Sequence, residues 1–274
     1  MLQADLVCSK EAVRCIQSER QALLQFKAGL PDPYDMLSSW TMAYCCQWYG
    51  IGCCNLTGHV LMLDLHGDYD YRYDYYYDYD GNNFYISGDI HNSLMELQQL
   101  QYLNLSGNDF RKNYIPGFFG SLRNLRYLDL SNCNFGGKIP IPLESLSHLK
   151  YLNLSINIYL EGSIPSQLGN LSNLQYLDLL GNSLEGKIPS QLGKLTNLQE
   201  FYLEEGRYGD SALTNHNKDN SGGQWSSNLT SLTHLHMLFI SNLDKSNSWL
   251  QMIGKLPKLI ELSLRGCGLS DHFI

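Results

Sequence analysis

Residues 168–206 read LGNLSNLQYLDLLGNSLEGKIPSQLGKLTNLQEFYLEEG, and this stretch holds two copies of one pattern. The first copy places leucines at 171, 174, 177 and 179. The second places Leu195, Leu198, Phe201 and Leu203 at the matching positions, 24 residues further on. A fixed period of this length predicts a solenoid, in which each repeat buries its apolar side by stacking on its neighbours.

The same pattern predicts eight strands along the chain. Residues two apart share one face of a strand, so Leu103 and Leu105 point inward while Tyr102 and Asn104 point outward. Longer intervals after the first and sixth strands predict irregular insertions near residues 66–85 and 206–228. The predicted strand centres are Leu63, Leu103, Leu128, Leu152, Leu177, Phe201, Leu238 and Leu262.

One position just past the strands recurs as asparagine or cysteine. The chain bends there and buries backbone groups that have no sheet partner. A side-chain amide can bond these groups fully, whereas a thiol does so weakly. The residues at this position are Asn108, Cys133, Asn157, Asn182 and Cys267, with Gly206 and Leu243 as exceptions.

The segment before the repeats predicts a helical cap. Ser18 and Gln21 have the spacing of a capping box at a helix start, and Gly29 is a suitable helix end. Trp40 and Trp48 are large enough to cover the open end of the leucine core. Six of the eight cysteines lie in the first 54 residues, a density typical of secreted, disulfide-bonded domains.

Charge and hydropathy exclude several classes of protein. The formal net charge is -8, and residues 68–80, an Asp/Tyr tract with five Asp and one Arg, supply half of it. The remainder is nearly balanced, which argues against a nucleic-acid-binding surface. The tract predicts a flexible acidic loop, with tyrosine sulfation as the alternative. The sequence has no apolar run of about 18 residues, the length of a transmembrane helix.

The Gly-x-Ile-Pro motifs at 137–140, 162–165 and 186–189 resemble the plant-specific extracellular leucine-rich repeat. The segments ERQALLQFKAGL at 19–30, CCQWYGIGC at 45–53 and TGHVLMLDL at 57–65 resemble the N-terminal cap of plant receptor-like proteins and receptor-like kinases. The resemblance implies an α/β solenoid: a right-handed leucine-rich repeat superhelix with a concave parallel sheet and a disulfide-stapled helical cap.

The resemblance also implies a division of the chain. Residues 15–57 correspond to the cap and residues 58–274 to about eight repeats. Residues 1–14 lack the basic start and apolar core of a complete signal peptide, so we interpret them as the remnant of one or as disordered. With no membrane span and no kinase in this sequence, a truncated receptor fragment is one interpretation.

The expected function is recognition outside the cell. Receptors of this type bind a peptide or protein ligand, with a co-receptor kinase as a further partner, at the plasma membrane or cell wall in defence or developmental signalling. A secreted inhibitor similar to those of polygalacturonases is the alternative, as is a non-functional fragment. We predict no enzyme activity and no cofactor, because the sequence shows no nucleophile with a base and an orienting group, and no phosphate-binding glycine loop.

The cysteines of the cap allow a metal site or disulfides. The doublets Cys45–Cys46 and Cys53–Cys54 do not have the usual spacing of zinc ligands, and no histidine is placed to assist. The resemblance implies that Cys15 pairs with Cys45 and Cys46 with Cys53. Cys8 and Cys54 then have no assigned partner.

Outward residues of the strands form the predicted ligand-binding site, since exposed aromatic residues favour protein contact. Tyrosine is also simply a good strand residue, which is the alternative explanation. One column of tyrosines is predicted to continue through Glu200, Met237 and Glu261. The predicted contact residues are Tyr102, Tyr127, Asp129, Tyr151, Tyr176, Asp178, Glu200 and Tyr202.

Five N-x-S/T sequons are candidate glycosylation sites, although NLS is also part of the repeat consensus. Glycans on Asn104 and Asn153 would stand on the predicted binding face, so glycosylation and ligand binding conflict at these two positions. Asn55, Asn170 and Asn228 are therefore the better candidates.

Overall fold

The structure is a computed structural model, and it describes residues 14–41, 43–68, 84–204, 213–214, 226–240 and 253–267. The predictions for residues 1–13, for Cys8 and for residues 69–83, which include most of the Asp/Tyr tract, lie outside the described residues. Among the described residues, no helix is both long enough and apolar enough to cross a bilayer.

The α-helix α1 spans Gln17–Ala28, and strands follow it in regular succession. Short 3-10 turns precede most of the later strands and return the chain to the sheet, at Asn92–Glu96, Gly117–Ser121, Ile141–Ser145, Ser166–Asn170, Ser190–Lys194 and Ser226–Asn228. The strands are β1 Ile51–Cys53, β2 Val60–Asp64, β3 Tyr102–Asn104, β4 Tyr127–Asp129, β5 Gly136–Gly137, β6 Tyr151–Asn153, β7 Tyr159–Ser163, β8 Tyr176–Leu179, β9 Ser183–Lys187, β10 Glu200–Glu204, β11 Leu213–Thr214, β12 His234–Leu238 and β13 Glu261–Arg265.

The longer of two sheets has the order β1-β2-β3-β4-β6-β8-β10-β12-β13. All neighbours are parallel except β1 and β2, which form an antiparallel pair at the cap. Leu103, Leu128, Leu152 and Leu177 are paired in direct register, and all four are fully buried. This register and burial confirm the stacked leucine ladder predicted from the sequence. Burying each leucine side chain contributes about 1.5–3 kcal/mol to stability.

The seventh predicted strand has the wrong register. Leu235, not Leu238, pairs with Phe201 and with Leu262, so the interval after Phe201 is 34 residues rather than 37. Met237 is consequently buried rather than outward. The segment HLHML admits both alternations, and the neighbouring strands select the one that buries Leu235 and Met237.

A second, shorter sheet was not predicted. It has the order β11-β9-β7-β5, all parallel, and β5, β7 and β9 each follow the recurring Asn or Cys position of their own repeat. The glycine of each Gly-x-Ile-Pro motif lies in this sheet and has a positive φ. At Gly137, a Cβ would also collide with the ring of Tyr114. β11 also shows that the predicted insertion at 206–228 contains sheet structure.

The cap closes the first end of the leucine core. Trp40 and Trp48 are almost completely buried and stack with ring centroids 5.3 Å apart, while Phe26 packs against Trp40 at 6.3 Å. The prediction that the two tryptophans cover this end is confirmed. Buried Glu19 ties α1 to β2, because its carboxylate accepts hydrogen bonds from the Val60 N–H at 2.7 Å and pairs with His59 Nδ1 at 2.8 Å.

The predicted capping box at Ser18 is wrong. The helix begins at Gln17, its N-cap is Ile16, and no side chain caps it. Its start is held instead by tertiary contacts: the Ile16 N–H donates to the Gly58 carbonyl at 3.3 Å, and Cys15 is disulfide-bonded to Cys45. These contacts hold the first residues of the helix in place without the local hydrogen bonds that a serine cap would supply.

The Asn position past each strand has the predicted role. Asn157 is fully buried, and its amide nitrogen donates to the carbonyls of Leu130 and Leu154, both at 2.9 Å. Its Oδ1 accepts from the N–H groups of Cys133 and Phe135 at 3.1 and 3.0 Å. One side chain thus links the backbones of two successive repeats.

Cysteine performs only the donor half of this role. Cys133 Sγ donates to the carbonyls of Leu105 at 2.9 Å and Ser131 at 3.4 Å. In the last repeat described, Cys267 Sγ donates to the Met237 carbonyl at 3.3 Å. Leu243, the exception predicted for this position, lies outside the described residues; the corrected register assigns the position to Ile240, which is fully buried.

We predict that Asn157→Ala lowers the free energy of unfolding by at least about 2–3 kcal/mol, because it leaves several buried backbone groups unpaired. Asn157→Cys should fall between Ala and the wild type, since a thiol restores the donor only. Urea denaturation followed by circular dichroism measures both.

Asn173→Ala is the matched control, because Asn173 is exposed and makes one bond to the Ser147 carbonyl. Its effect should stay within about 0.5 kcal/mol, the range usual for surface substitutions. An Asn157→Ala variant as stable as this control would refute the role assigned to the ladder.

Candidate functional site

The side of the long sheet that faces away from the leucines, called here the sheet face, carries two columns of side chains. The first, the tyrosine column, consists of Tyr102, Tyr127, Tyr151 and Tyr176. Their rings stack with successive centroids 4.2 Å apart and planes within 9° of parallel. Direct register places one tyrosine per strand at the same height, and the strand spacing then brings the rings into contact.

Partial burial makes these phenols weaker acids than an exposed tyrosine. Desolvation raises the pKa of Tyr102, Tyr127, Tyr151 and Tyr176 above the ordinary tyrosine value, and neighbouring carboxylates raise it further. Burial therefore keeps the tyrosine column uncharged, and its hydroxyl groups can both donate and accept hydrogen bonds.

The second column, the Asx column, consists of Asn104, Asp129, Asn153 and Asp178. In each, Oδ1 accepts from the backbone N–H two residues further on, at 2.9–3.1 Å. This local bond stabilises the bend that ends each strand. Either Asn or Asp supplies this oxygen, so both residues suit the position.

Two predicted contact residues are more enclosed than expected. Asp129 and Asp178 are 7% and 9% exposed. The Tyr127 hydroxyl donates to Asp129 Oδ2 at 3.2 Å, and the Tyr176 hydroxyl donates to Asp178 Oδ2 at 3.3 Å. Burial raises the pKa of Asp178. The structure thus gives both carboxylates a role in positioning tyrosines, and their contact with a ligand remains a prediction.

Asn104 and Asn153 are 9% and 8% exposed, and the Asx column uses their side chains internally. The geometry does not favour a glycan on either. Asn170 and Asn228 are exposed, and Asn55 is half-buried.

The composition of the sheet face changes after β8. Glu200 and Glu261 lie in line with the tyrosine column, with His234 between them where Met237 was predicted. Tyr202 takes the Asx position on β10, and its hydroxyl donates to Glu200 Oε2 at 2.9 Å. The rings of Tyr176 and Tyr202 are 5.5 Å apart and tilted by 42°, so the regular stack ends here.

Sequence reasoning missed His234 and His236. Both project onto the sheet face from β12, and the ring of His236 lies 4.8 Å from that of Tyr202. The signal was present as His-Leu-His, two polar residues flanking an inward leucine. It was missed because the strand was centred three residues too late.

The cap carries the two disulfides that the resemblance implies, Cys15–Cys45 and Cys46–Cys53. The sulfur atoms of Cys15, Cys45 and Cys46 lie within 4.8 Å of one another, but each is already part of a disulfide bond. Cys54 is not disulfide-bonded in the part of the chain that the structure describes.

We predict that the tyrosine column makes stability fall at alkaline pH. An unfolded tyrosine ionises near pH 10, whereas the folded column keeps its protons to higher pH. Above about pH 10, ionisation therefore lowers the free energy of the unfolded state but not that of the folded state, and the free energy of unfolding falls. Tyr127→Phe should reduce the slope of unfolding free energy against pH in this range, and Tyr127→Phe/Tyr176→Phe should reduce it further. Urea midpoints between about pH 8 and 11 test this; unchanged slopes in both variants would contradict it.

Comparison with known proteins adds two family matches. A family described as "Leucine-rich repeat region" matches residues 83–216 and 116–266, and one described as "Leucine rich repeat N-terminal domain" matches residues 16–54. Together they include the cap and most of the repeats.

The tomato (Solanum lycopersicum) proteins Receptor-like protein EIX1 and Receptor-like protein EIX2 are similar to this chain. The first is 34% identical over 260 residues, covering 93% of this chain and 19% of its own length. The second is 43% identical over 127 residues, covering 46% and 12%. The chain thus spans less than a fifth of these relatives.

Among solved structures, the ectodomain of the Arabidopsis receptor kinase HAESA, in complex with an IDA peptide hormone ligand, superimposes with a TM-score of 0.66. It is 27% identical, and the match covers 92% of this chain and 41% of that one. The predicted leucine-rich repeat solenoid with its cap and parallel sheet is confirmed. The chain therefore belongs to the plant leucine-rich repeat family of receptor-like proteins and receptor kinase ectodomains.

Proposed function

We propose that the sheet face binds a peptide or protein ligand, and that the chain acts as a recognition module of a plant receptor in defence or developmental signalling. The observation that carries this proposal is the tyrosine column, an uninterrupted aromatic stripe across four strands. The family match supports it, because a similar ectodomain binds a peptide hormone.

Stacking prepares the column for binding. Each inner ring is held between two neighbours at 4.2 Å, so it has few alternative orientations to lose when a ligand arrives. A side chain that is ordered before binding avoids a cost of about 0.5–1.5 kcal/mol. Tyrosines of this kind are frequent energetic centres of interfaces.

Charge indicates the chemistry of the ligand. Carboxylates stand on the sheet face at Asp64, Asp129, Asp178 and Glu200, and the outward positions of the long-sheet strands from β2 to β12 carry no lysine or arginine. On β13, Glu261 shares the face with Arg265. A ligand with basic side chains is complementary to this face, and its hydrogen-bond donors can also reach the phenol oxygens.

The cap supports an extracellular location as part of the same proposal. Two disulfides among closely spaced cysteines persist in oxidising compartments. We therefore propose that this segment works outside the cell, at the plasma membrane or cell wall, with a co-receptor kinase as a second partner of the parent receptor.

Selection from a phage-displayed library of random linear peptides tests the binding proposal. Peptides enriched on the wild-type chain should bind Tyr151→Ala at least about tenfold more weakly, the loss expected at an energetic centre of an interface. Tyr151→Phe should separate the hydroxyl contribution from that of the ring. Surface plasmon resonance measures the affinities.

Tyr114→Ala is the matched control, since Tyr114 is 75% exposed but lies beside the second sheet, away from the sheet face. It should bind the selected peptides as the wild type does. Failure to enrich any peptide, or equal losses in Tyr114→Ala and Tyr151→Ala, would overturn the proposal.

We further propose that glycans attach at the exposed sequons and not on the sheet face. Peptide mapping of the protein secreted from plant cells, after enzymatic deglycosylation in ¹⁸O water, should label Asn170 and Asn228 and leave Asn104 and Asn153 unlabelled. Burial of the last two is the physical reason, because a side chain that is 9% or 8% exposed leaves no room for a sugar on its amide nitrogen. Label at Asn153 in folded protein would show that this reasoning fails.

A further inference from the structure

The end of the sheet face beyond the tyrosine column carries two histidines beside an exposed carboxylate. His234 and His236 project from β12, two residues apart, and Glu261 lies on β13 in direct register with His234. His236 Nε2 is 3.1 Å from Glu261 Oε1, and His234 Nε2 is 4.0 Å from Glu261 Oε2. We propose that this histidine–glutamate cluster makes binding at the sheet face depend on pH, so that basic ligands bind at neutral pH and dissociate when the histidines gain protons. The inference rests on the proposed function, because it concerns the regulation of the same face.

The hydrogen bonds of Thr233 determine which nitrogen of His234 can gain a proton. The Thr233 hydroxyl donates its single proton to the Gln199 carbonyl at 2.8 Å. It therefore accepts from His234 Nδ1, which lies 2.9 Å away. Nε2 of the neutral ring is then the nitrogen that offers a lone pair, and it is the nitrogen on the side of Glu261. Protonation of His234 thus places a positive charge next to the carboxylate.

His236 is the more enclosed of the two histidines. Its side chain is 24% exposed, against 32% for His234, and its Nε2 is shielded from solvent. The centre of its ring lies 4.8 Å from that of Tyr202. When the His236 ring is protonated, the 3.1 Å separation between Nε2 and Glu261 Oε1 makes the two side chains an ion pair. When the ring is neutral, it leaves the charge of Glu261 uncompensated.

Protonation removes the negative charge that attracts a basic ligand. Glu200 and Glu261 contribute two negative charges at this end of the sheet face, and two protonated histidines on the strand between them offset both. The Glu261 side chain is 54% exposed, so a lysine or arginine of a ligand can reach it. Histidine ordinarily changes its charge between about pH 5 and 8. Affinity for a basic ligand is therefore highest when the imidazoles are neutral, and it falls as the pH is lowered through this range.

The other charged and titratable groups around β12 respond differently to pH. They are Tyr176 and Asp178 on β8, Glu200, Tyr202 and Glu204 on β10, and Arg265 on β13. Burial raises the pKa of both tyrosines, so they stay uncharged in this range, and Arg265 carries a fixed positive charge. Burial also raises the pKa of Asp178. Any protonation of Asp178 adds to the effect in the same direction, and a variant that lacks both histidines isolates its share.

Peptide affinities measured at two pH values test the proposal. From the peptides enriched on the wild-type chain at about pH 7.5, those with lysine or arginine but no histidine are chosen, and their amino termini are acetylated. Surface plasmon resonance should show about fivefold weaker binding at about pH 5.5, the change that one like charge about 4 Å away produces in a water-like medium. His234→Gln/His236→Gln should lower this ratio to the share contributed by Asp178, because glutamine is polar but does not titrate. His234→Gln alone should lower the ratio part of the way.

His66→Gln is the matched control, because His66 Nδ1 also contacts a carboxylate, Asp64 Oδ1 at 2.8 Å, but at the other end of the sheet face. It should keep the wild-type ratio, and melting temperatures equal to that of the wild type at both pH values will show that the variants fold. The inference fails, while the proposed function stands, if the selected peptides bind the wild type equally at both pH values or if the double variant keeps the wild-type ratio. Enriched peptides that lack lysine and arginine would also overturn the inference alone. If no peptide is enriched, the proposed function fails and the inference fails with it.

Discussion

The bend that follows each strand is the constraint on which the rest of the structure depends. Parallel strands can be stacked in register only if the chain turns away from the sheet at the same point in every repeat, and that turn buries backbone groups. Asn157 satisfies four such groups with one amide, one in its own repeat and three in the preceding one. Because the bonds cross between repeats, they fix the register as well as the bend.

Register in turn creates the sheet face. The leucines that stack inward require their outward neighbours to stack as well, so four tyrosines in equivalent positions become one aromatic column. The hydroxyls of Tyr127 and Tyr176 then donate to the carboxylates of Asp129 and Asp178, which the Asx turns already hold in place. A recognition surface therefore follows from the packing on the opposite side of the same strands. The change to glutamate and histidine after β8 gives this surface two chemically different ends.

The predictable part of the molecule is the part governed by short-range periodicity. The inward leucines, the role of the Asn position, the tryptophans of the cap and the tyrosine column could all be derived from spacing. The register of β12 could not, because His-Leu-His-Met-Leu alternates acceptably in two ways and only pairing with Phe201 and Leu262 chooses between them. The helix start was missed for a similar reason: a disulfide and a backbone bond to Gly58 hold Ile16, and neither is a local signal.

The sequence by itself determined that the chain is a leucine-rich repeat solenoid with a cap, because repeat length and the alternation of leucines depend only on neighbouring residues. Tertiary structure alone decided how enclosed Asp129 and Asn153 are, that the glycines of the Gly-x-Ile-Pro motifs lie in a second sheet, and that His234 and His236 lie beside Glu261. Each of these depends on contacts between repeats. Such contacts join residues some 24 or more positions apart, and only the stacked strands bring them within bonding distance.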